Sequence, residues 1–199
     1  MYFKIKKKLR RILSKYFGLK RGHHLVLGKA LAQVLGSFDK PLLLETGCIR
    51  NVNEGTDSTL IIASTVRDRG TFYSFELRPE HIEQCRQACA GYNQYINYVE
   101  GDSIAKLEQY VAEGKLPEVH FAFLDSRNDS EHIWREFRAI ESRFVPGSVL
   151  VVDDVLWADK GRRLRPYLEA SPQWTTRIFN VENGILTATR RQPSRPPSS

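Results

Sequence analysis

The chain has 199 residues, 41% hydrophobic and 27% charged, which is typical of one globular domain. Its net charge of +7 arises at the termini, because residues 1–21 hold nine Lys or Arg and no acid, and residues 190–199 hold three more. The remaining 18 basic residues face 23 acids, so the body of the chain is acidic and a nucleic-acid-binding protein is not indicated.

The cysteines and the apolar runs restrict the compartment. Cys48, Cys85 and Cys89 show no paired spacing, which argues against a disulfide framework and for a reducing environment. No apolar run approaches the ~18 residues that a transmembrane helix needs. The basic N terminus is not followed by the core of a signal peptide. We predict a cytoplasmic protein.

The N-terminal 21 residues have the pattern of a basic amphipathic helix. Its apolar residues recur at helical spacing: Ile5, Leu9, Ile12, Leu13 and Tyr16. Such a helix packs on its own domain or on the partner subunit of a homodimer, or it lies on an anionic membrane surface as a peripheral contact. RNA contact is a further alternative and ranks below these.

From residue 41 onward, short apolar runs alternate with helical patterns. The predicted strands are 41–45, 71–76, 95–99, 119–124 and 148–152. The predicted helices are 27–35, 58–67, 79–90, 103–112, 130–144 and 162–170. This alternation is typical of βαβ units and a buried parallel sheet. Two final strands, 175–179 and 185–189, enclose an Asn-Gly turn and predict an antiparallel hairpin. Residues 22–191 are therefore expected to form one α/β domain, with 192–199 as a disordered tail.

Acidic residues end or follow the five predicted parallel strands. They are Glu45, Glu76, Asp102, Asp125 and the pair Asp153 and Asp154. Ligands of doubly wound sheets bind outside the carboxyl ends of the strands, so we expect these acids along one rim. The turn after the first strand contains Gly47 but no GxGxxG, which weakens a pyrophosphate site. Glu76 ends the second strand, where an acid accepts hydrogen bonds from both hydroxyls of a ribose.

Five motifs carry these acids in order: Leu42-Leu-Leu-Glu-Thr-Gly-Cys48, Tyr73-Ser-Phe-Glu76, Glu100-Gly-Asp-Ser103, Phe123-Leu-Asp125 and Gly147-Ser-Val-Leu-Val-Val-Asp-Asp154. Over residues 42–189 they resemble the class I S-adenosylmethionine (AdoMet)-dependent methyltransferases. The resemblance is closest to the branch of catechol-type O-methyltransferases and their bacterial relatives. It implies a Rossmann-like, doubly wound α/β sheet of seven strands, mostly parallel with an antiparallel last strand and helices on both faces.

The resemblance also implies roles for individual residues. Glu45 and Gly47 would contact the methionine part of AdoMet, and Glu76 would hold the ribose. Asp102 and Ser103 would meet the adenine. Asp125 would lie beside both the sulfonium and the acceptor, which we expect to be a small molecule methylated on oxygen. The longer loop over residues 49–56 departs from the family's tight first turn.

A metal site is a further expectation. Asp125, Asp153 and Asp154 offer the oxygen ligands that Mg²⁺ or another divalent cation prefers, and catechol-type relatives have Asp, Asp and Asn in matching places. A cation there would orient an acceptor hydroxyl and lower its pKa. The alternative is that Asp125 positions the substrate while Asp153 or Asp154 caps the next segment.

The catalytic base is less well marked. Catechol-type enzymes carry a Lys shortly after the first metal Asp, whereas this sequence reads Asp125-Ser-Arg-Asn128. His132, one helical turn further on, is the candidate base beside Asp125 and Asp153, with a solvated or capping histidine as the alternative.

Two other functions stay open from the residues alone. One is an oxidoreductase that binds NAD or another nucleotide on a similar sheet, although the poor glycine motif speaks against it. The other is a binding module that keeps the AdoMet fold without catalysis. AdoMet-dependent methyl transfer is the function that the motifs favour.

Overall fold

The structure is a computed structural model and describes residues 21–49 and 58–192. Its strands are β1 (Leu42–Thr46), β2 (Thr71–Glu76), β3 (Asn97–Glu100), β4 (Val119–Leu124), β5 (Phe144–Val152), β6 (Trp174–Phe179) and β7 (Ile185–Arg190). Its α-helices are α1 (Arg21–Ser37), α2 (Ser58–Val66), α3 (Pro79–Ala88), α4 (Ser103–Ala112), α5 (Ser130–Ile140) and α6 (Leu164–Ala170). The helix predicted over 1–21 and the tail predicted over 192–199 lie almost wholly outside the described residues.

The seven strands form one sheet in the order β3-β2-β1-β4-β5-β7-β6. The pairs among β1 to β5 are parallel, and β7 runs antiparallel to both β5 and β6. The chain starts in the middle at β1, builds outward to β3, and then returns to the other side of β1 with β4. This confirms the predicted doubly wound sheet with an antiparallel last strand.

Both faces of the sheet are buried. Leu43 packs in the layer under α1 and α2, whereas the next residue, Leu44, packs in the layer under α4 and α5. Phe121 and Ala122 of β4 divide in the same way, since successive strand residues point to opposite faces. The near-continuous apolar runs of the sequence reflect this two-sided burial.

Three predicted boundaries were wrong by four or more residues. The helix predicted to begin at residue 27 begins at Arg21, and the other two lie between α5 and β5. The helix predicted over 130–144 ends at Ile140, and β5 begins at Phe144 instead of residue 148. Phe144 is buried and pairs with Val119, and the register then shifts before Phe121 pairs with Val149. The irregular segment is held by Ser148, whose Oγ donates to Val119 O and accepts from Val145 N. The sequence did not predict that β5 begins before residue 148, because Pro146 and Gly147 are residue types that usually interrupt strands.

The helices that the structure describes lie within residues 21–49 and 58–192. None of the helices found there is both long enough and apolar enough to cross a membrane.

Candidate active site

A cavity of about 510 Å³ opens at the carboxyl ends of the central strands. It is lined by residues that follow or end β1 to β4, together with α5: Gly47, Glu76, Asp102, Ser103, Ser126 and His132. Strand order reverses between β1 and β4, which is where doubly wound sheets bind their ligands. The volume falls within the ~300–1,000 Å³ of small-molecule sites.

Gly47 gives the turn after β1 its close approach to β4. Its φ is +81°, and a Cβ at this position would lie 2.5 Å from the carbonyl oxygen of Asp125. The Gly47 N–H donates to Phe75 O, and the Asp125 N–H donates to Thr46 O. Only glycine combines this backbone conformation with this packing, so the floor of the cavity depends on it.

Glu76 faces the cavity from the end of β2 and is almost completely buried. Its Oε1 accepts from Arg78 N at 3.0 Å and contacts His81 Nδ1 at 3.3 Å. Its Oε2 accepts from Cys48 N at 3.3 Å and lies 3.8 Å from the Cys48 thiol. These contacts fix the carboxylate between the turn after β1 and the start of α3.

Ser103 and His132 meet at one side of the cavity, above a buried acid. Ser103 Oγ lies 3.2 Å from His132 Nε2 and donates a hydrogen bond to Glu136 Oε1. Glu136 is fully buried, and its Oε2 accepts from Thr46 Oγ1 at 3.1 Å. Asp102 is exposed and caps α4 by accepting from Ala105 N at 3.0 Å.

Glu45 does not line the cavity. It is fully buried within β1, where Oε1 accepts from Thr59 Oγ1 at 2.6 Å and Ser74 Oγ at 2.7 Å. Thr59 in turn accepts from Ile49 N, so Glu45 anchors the segment after β1 from behind. Burial disfavours the ionised carboxylate and raises the pKa of Glu45 to about 8.

Asp125, Asp153 and Asp154 converge beside the cavity. Each offers an oxygen, and the three oxygens lie within 4.8 Å of one another. Two basic side chains already contact this acid triad: Lys160 Nζ lies 2.8 Å from Asp125 Oδ1, and His23 Nε2 lies 2.9 Å from Asp153 Oδ2. Lys160 is fully buried and His23 nearly so.

Burial and these contacts shift the pKa values of Asp125, Asp153 and His23. Burial raises the pKa of Asp125, and the neighbouring Asp153 and Asp154 add to this effect while Lys160 opposes it. Burial acts in the same direction on Asp153, but the hydrogen bond and charge of His23 hold its pKa below the usual value. The pKa of His23 is raised, because Asp153 outweighs the effect of burial.

Sequence reasoning missed three of these residues. Glu136 could have been found from the sequence, because an acid on the apolar face of a helix is expected to be buried. It shares that face of α5 with Ile133, Phe137 and Ile140. The sequence offered no such signal for His23, which lies 130 positions from Asp153, or for Lys160, which follows Asp154 by six positions in a polar segment where a lysine is expected to be exposed. On the same helix, Phe137 packs in the core and Trp134 lies partly buried against it.

Comparison with known families decides the class of this fold. The family model described as "Methyltransferase domain" matches residues 52–155, which is more than half of the chain. The chain belongs to this methyltransferase family. It is a class I AdoMet-dependent methyltransferase, as the motifs predicted, and the NAD-binding alternative is set aside. No sequence among the curated proteins matches the chain.

Solved methyltransferases share the fold at low sequence identity. An O-methyltransferase from Bacillus cereus in complex with SAH is 19% identical, with a TM-score of 0.69 over 86% of this chain and 81% of that one. The O-methyltransferase TomG from Streptomyces achromogenes, in complex with SAM, is 19% identical with a TM-score of 0.68, over 85% of this chain and 80% of that one. A methyltransferase from Geobacter sulfurreducens is 14% identical with a TM-score of 0.66, over 92% and 87%.

Proposed function

We propose that this methyltransferase transfers the methyl group of AdoMet to an oxygen of a small-molecule acceptor. The cavity at the reversal point of the sheet, with Glu76 fixed at its edge, is the observation that carries the proposal. The names of two structurally similar proteins, both O-methyltransferases, support oxygen as the acceptor atom. Bound in this cavity, AdoMet would supply an electrophilic sulfonium methyl group to the acceptor oxygen, with S-adenosylhomocysteine (SAH) and a proton released to solvent as the other products.

In this proposal Glu76 binds the ribose. A carboxylate has about four acceptor sites, and four contacts already reach Glu76. Two of them come from side chains, which can turn away: the Cys48 thiol at 3.8 Å and His81 Nδ1 at 3.3 Å. Ribose hydroxyls would replace these two, while the backbone N–H groups of Cys48 and Arg78 keep the carboxylate in place.

The adenine end lies at Asp102 and Ser103, and we assign His132 to it. His132 Nε2 contacts Ser103 Oγ, so a group that meets Ser103 also meets His132. With this assignment His132 does not contact the acceptor. The acceptor oxygen is instead held at the acid triad. Gly47 remains at the methionine part, whereas Glu45 acts from behind by anchoring the segment after β1.

The acceptor side has an apolar wall. Leu156 and Trp157 follow the acid pair directly and are 47% and 54% exposed. Exposed apolar side chains next to a polar centre mark binding surfaces, and a flat aromatic acceptor with a hydroxyl group matches both parts. We therefore propose phenols as the first acceptor class.

The sequence also predicted a divalent cation at the acid triad, which would activate the acceptor hydroxyl. The three carboxylates have the right chemistry for Mg²⁺. The set as it stands does not fit a cation, because the Lys160 ammonium contacts Asp125 and His23 contacts Asp153. We route no step through a metal. Cytoplasmic location, homodimer formation and contact of residues 1–21 with a membrane stay predictions.

Isothermal titration calorimetry with SAH tests the cofactor assignment. We expect a micromolar Kd for the unaltered chain, at least tenfold weaker binding by Glu76→Gln, and no change in the exposed control Glu80→Gln. Release of SAH from AdoMet in the presence of catechol and caffeate tests the acceptor. Lack of SAH binding at millimolar concentration would refute the proposal, and binding without turnover of any phenol would favour a non-catalytic module.

A further inference from the structure

Lys160 is the most deeply buried basic residue near the candidate active site. Its side chain is fully buried, and its ammonium lies 2.8 Å from Asp125 Oδ1, 35 positions away along the chain. A lysine is almost never buried to this degree unless its charge is paired. Asp125 supplies that partner directly, and the charge of Lys160 also acts on Asp153.

The backbone around Lys160 is shaped to turn this side chain inward. After β5, Trp157 N donates to Asp154 O and Lys160 N donates to Trp157 O, so the segment forms two successive turns. The next residue, Gly161, packs on the backbone, since a Cβ there would lie 2.3 Å from Val155 O. The close approach at Gly161 holds the segment against the end of β5 and the Lys160 side chain against the triad.

The acid triad therefore has two basic partners of its own. Lys160 contacts Asp125, His23 contacts Asp153, and Asp153 Oδ1 accepts from Asp154 N. A divalent cation bound by all three carboxylates would meet the Lys160 ammonium at its Asp125 ligand. Even through the other oxygen of Asp125, the cation would lie within a few ångströms of this ammonium, where like charges repel strongly.

We propose that Lys160 is a built-in cation that takes the place of a divalent metal at the triad of Asp125, Asp153 and Asp154, and that it positions Asp125 beside the reacting groups. The second part rests on the proposed methyl transfer. Lys160 is a positioning residue, because its buried ammonium acts through Asp125. The methyl transfer then needs no divalent cation.

Binding of Mn²⁺, followed by electron paramagnetic resonance, tests the first part without any activity assay. The unaltered chain is expected to bind no stoichiometric Mn²⁺ at the triad at 1 mM. Lys160→Met, which keeps the length and removes the charge, should bind one Mn²⁺ per chain at least tenfold more tightly than the unaltered chain. Lys160→Arg, which keeps the charge, should behave like the unaltered chain.

Stability supplies a second readout in case the methionine variant folds poorly. Lys160→Met leaves three neighbouring carboxylates with one cation fewer, so its Tm should fall by about 10 °C and recover in 10 mM Mg²⁺. The double variant Lys160→Met with Asp125→Asn should regain most of the Tm without Mg²⁺, since the unpaired charge is gone.

Two results would overturn the proposal. One is stoichiometric Mn²⁺ binding by the unaltered chain that Asp153→Asn abolishes. The other is a methionine variant that gains neither Mn²⁺ binding nor a Tm response to Mg²⁺. Calorimetry with SAH on the same proteins distinguishes failure of the proposed methyl transfer from failure of the Lys160 proposal. If SAH does not bind, the Mn²⁺ result still tests whether Lys160 takes the place of a metal. Where turnover is observed, 5 mM EDTA should leave its rate unchanged, and loss of turnover in EDTA would contradict the second part.

Discussion

The imidazole Nε2 of His23 lies 2.9 Å from Oδ2 of Asp153, although 130 positions separate the two residues. The first described helix thus holds the end of β5 through a buried ionic hydrogen bond. The same ring packs edge-on against Phe123, with centroids 5.9 Å apart, so it is fixed from two sides.

Replacement of His23 by Phe should destabilise the protein, because Asp153 then loses its buried donor while the aromatic packing is retained. We expect the free energy of unfolding to fall by about 2–4 kcal/mol in urea denaturation at pH 7. Adding Asp153→Asn to this variant should recover part of the loss, as a double-mutant cycle would measure. A loss below ~0.5 kcal/mol would show that water satisfies Asp153 equally well.

Gly47→Ala should weaken SAH binding, because its Cβ would collide with the backbone at Asp125 on the cavity floor. Gly114→Ala is a matched control: its φ is also positive, at +69°, but nothing lies within 4 Å of the added atom. Both variants should lose about 1–2 kcal/mol from the left-handed backbone. Only Gly47→Ala should lose further stability and bind SAH at least tenfold more weakly, measured by urea denaturation and calorimetry. Equal losses in both variants would count against the packing argument.

Glu136→Ala should weaken SAH binding from outside the cavity. Its carboxylate accepts from Thr46 and Ser103 and lies 3.3 Å from His132 Nε2, so removal frees two cavity residues and leaves buried donors unpaired. We expect a loss of about 2–4 kcal/mol in stability and roughly tenfold in affinity. The control is Glu131→Ala on the same helix, whose exposed pair with Arg163 should contribute less than ~1 kcal/mol. An unchanged affinity for Glu136→Ala would limit its role to stability.

Glu45 should make stability depend on pH. Its pKa is about 8 in the folded protein against an ordinary value of 4.5, so the folded state binds a proton that the unfolded state has lost between these values. Stability therefore falls as pH rises through this window, by about 1.4 kcal/mol per pH unit from this group. Glu45→Gln lacks this term and keeps the acceptor oxygen for Thr59 and Ser74.

The measurement is the difference in unfolding free energy between Glu45→Gln and the unaltered chain from pH 5 to pH 7.5. We expect the difference to move steadily in favour of the glutamine variant. The exposed control Glu80→Gln should give a flat difference over the same range. A flat difference for Glu45→Gln as well would mean that Glu45 titrates normally in the folded state.

The strands were accessible from local patterns, and the family resemblance implied the doubly wound sheet that they form. Continuous apolar runs predicted strands buried on both faces, and β2, β4 and α4 have the predicted bounds. The start of β5 was not accessible, because the pairing of Phe144 with Val119 crosses a register shift that depends on Ser148 and the neighbouring strand. Local propensity at Pro146 and Gly147 points the other way.

The candidate site also has features that local sequence patterns predict and features that only tertiary contacts decide. The sequence alone determined the sheet, its antiparallel ending and the acids at its carboxyl edge, since periodicity and strand-end positions are local properties of the chain. The tertiary structure decided that Glu45 supports the cavity from behind, that Glu136 joins Thr46 to Ser103, and that His23 and Lys160 contact the acid triad. These contacts join residues far apart in the chain, and the free energy of a buried charge depends on the partners that folding brings to it.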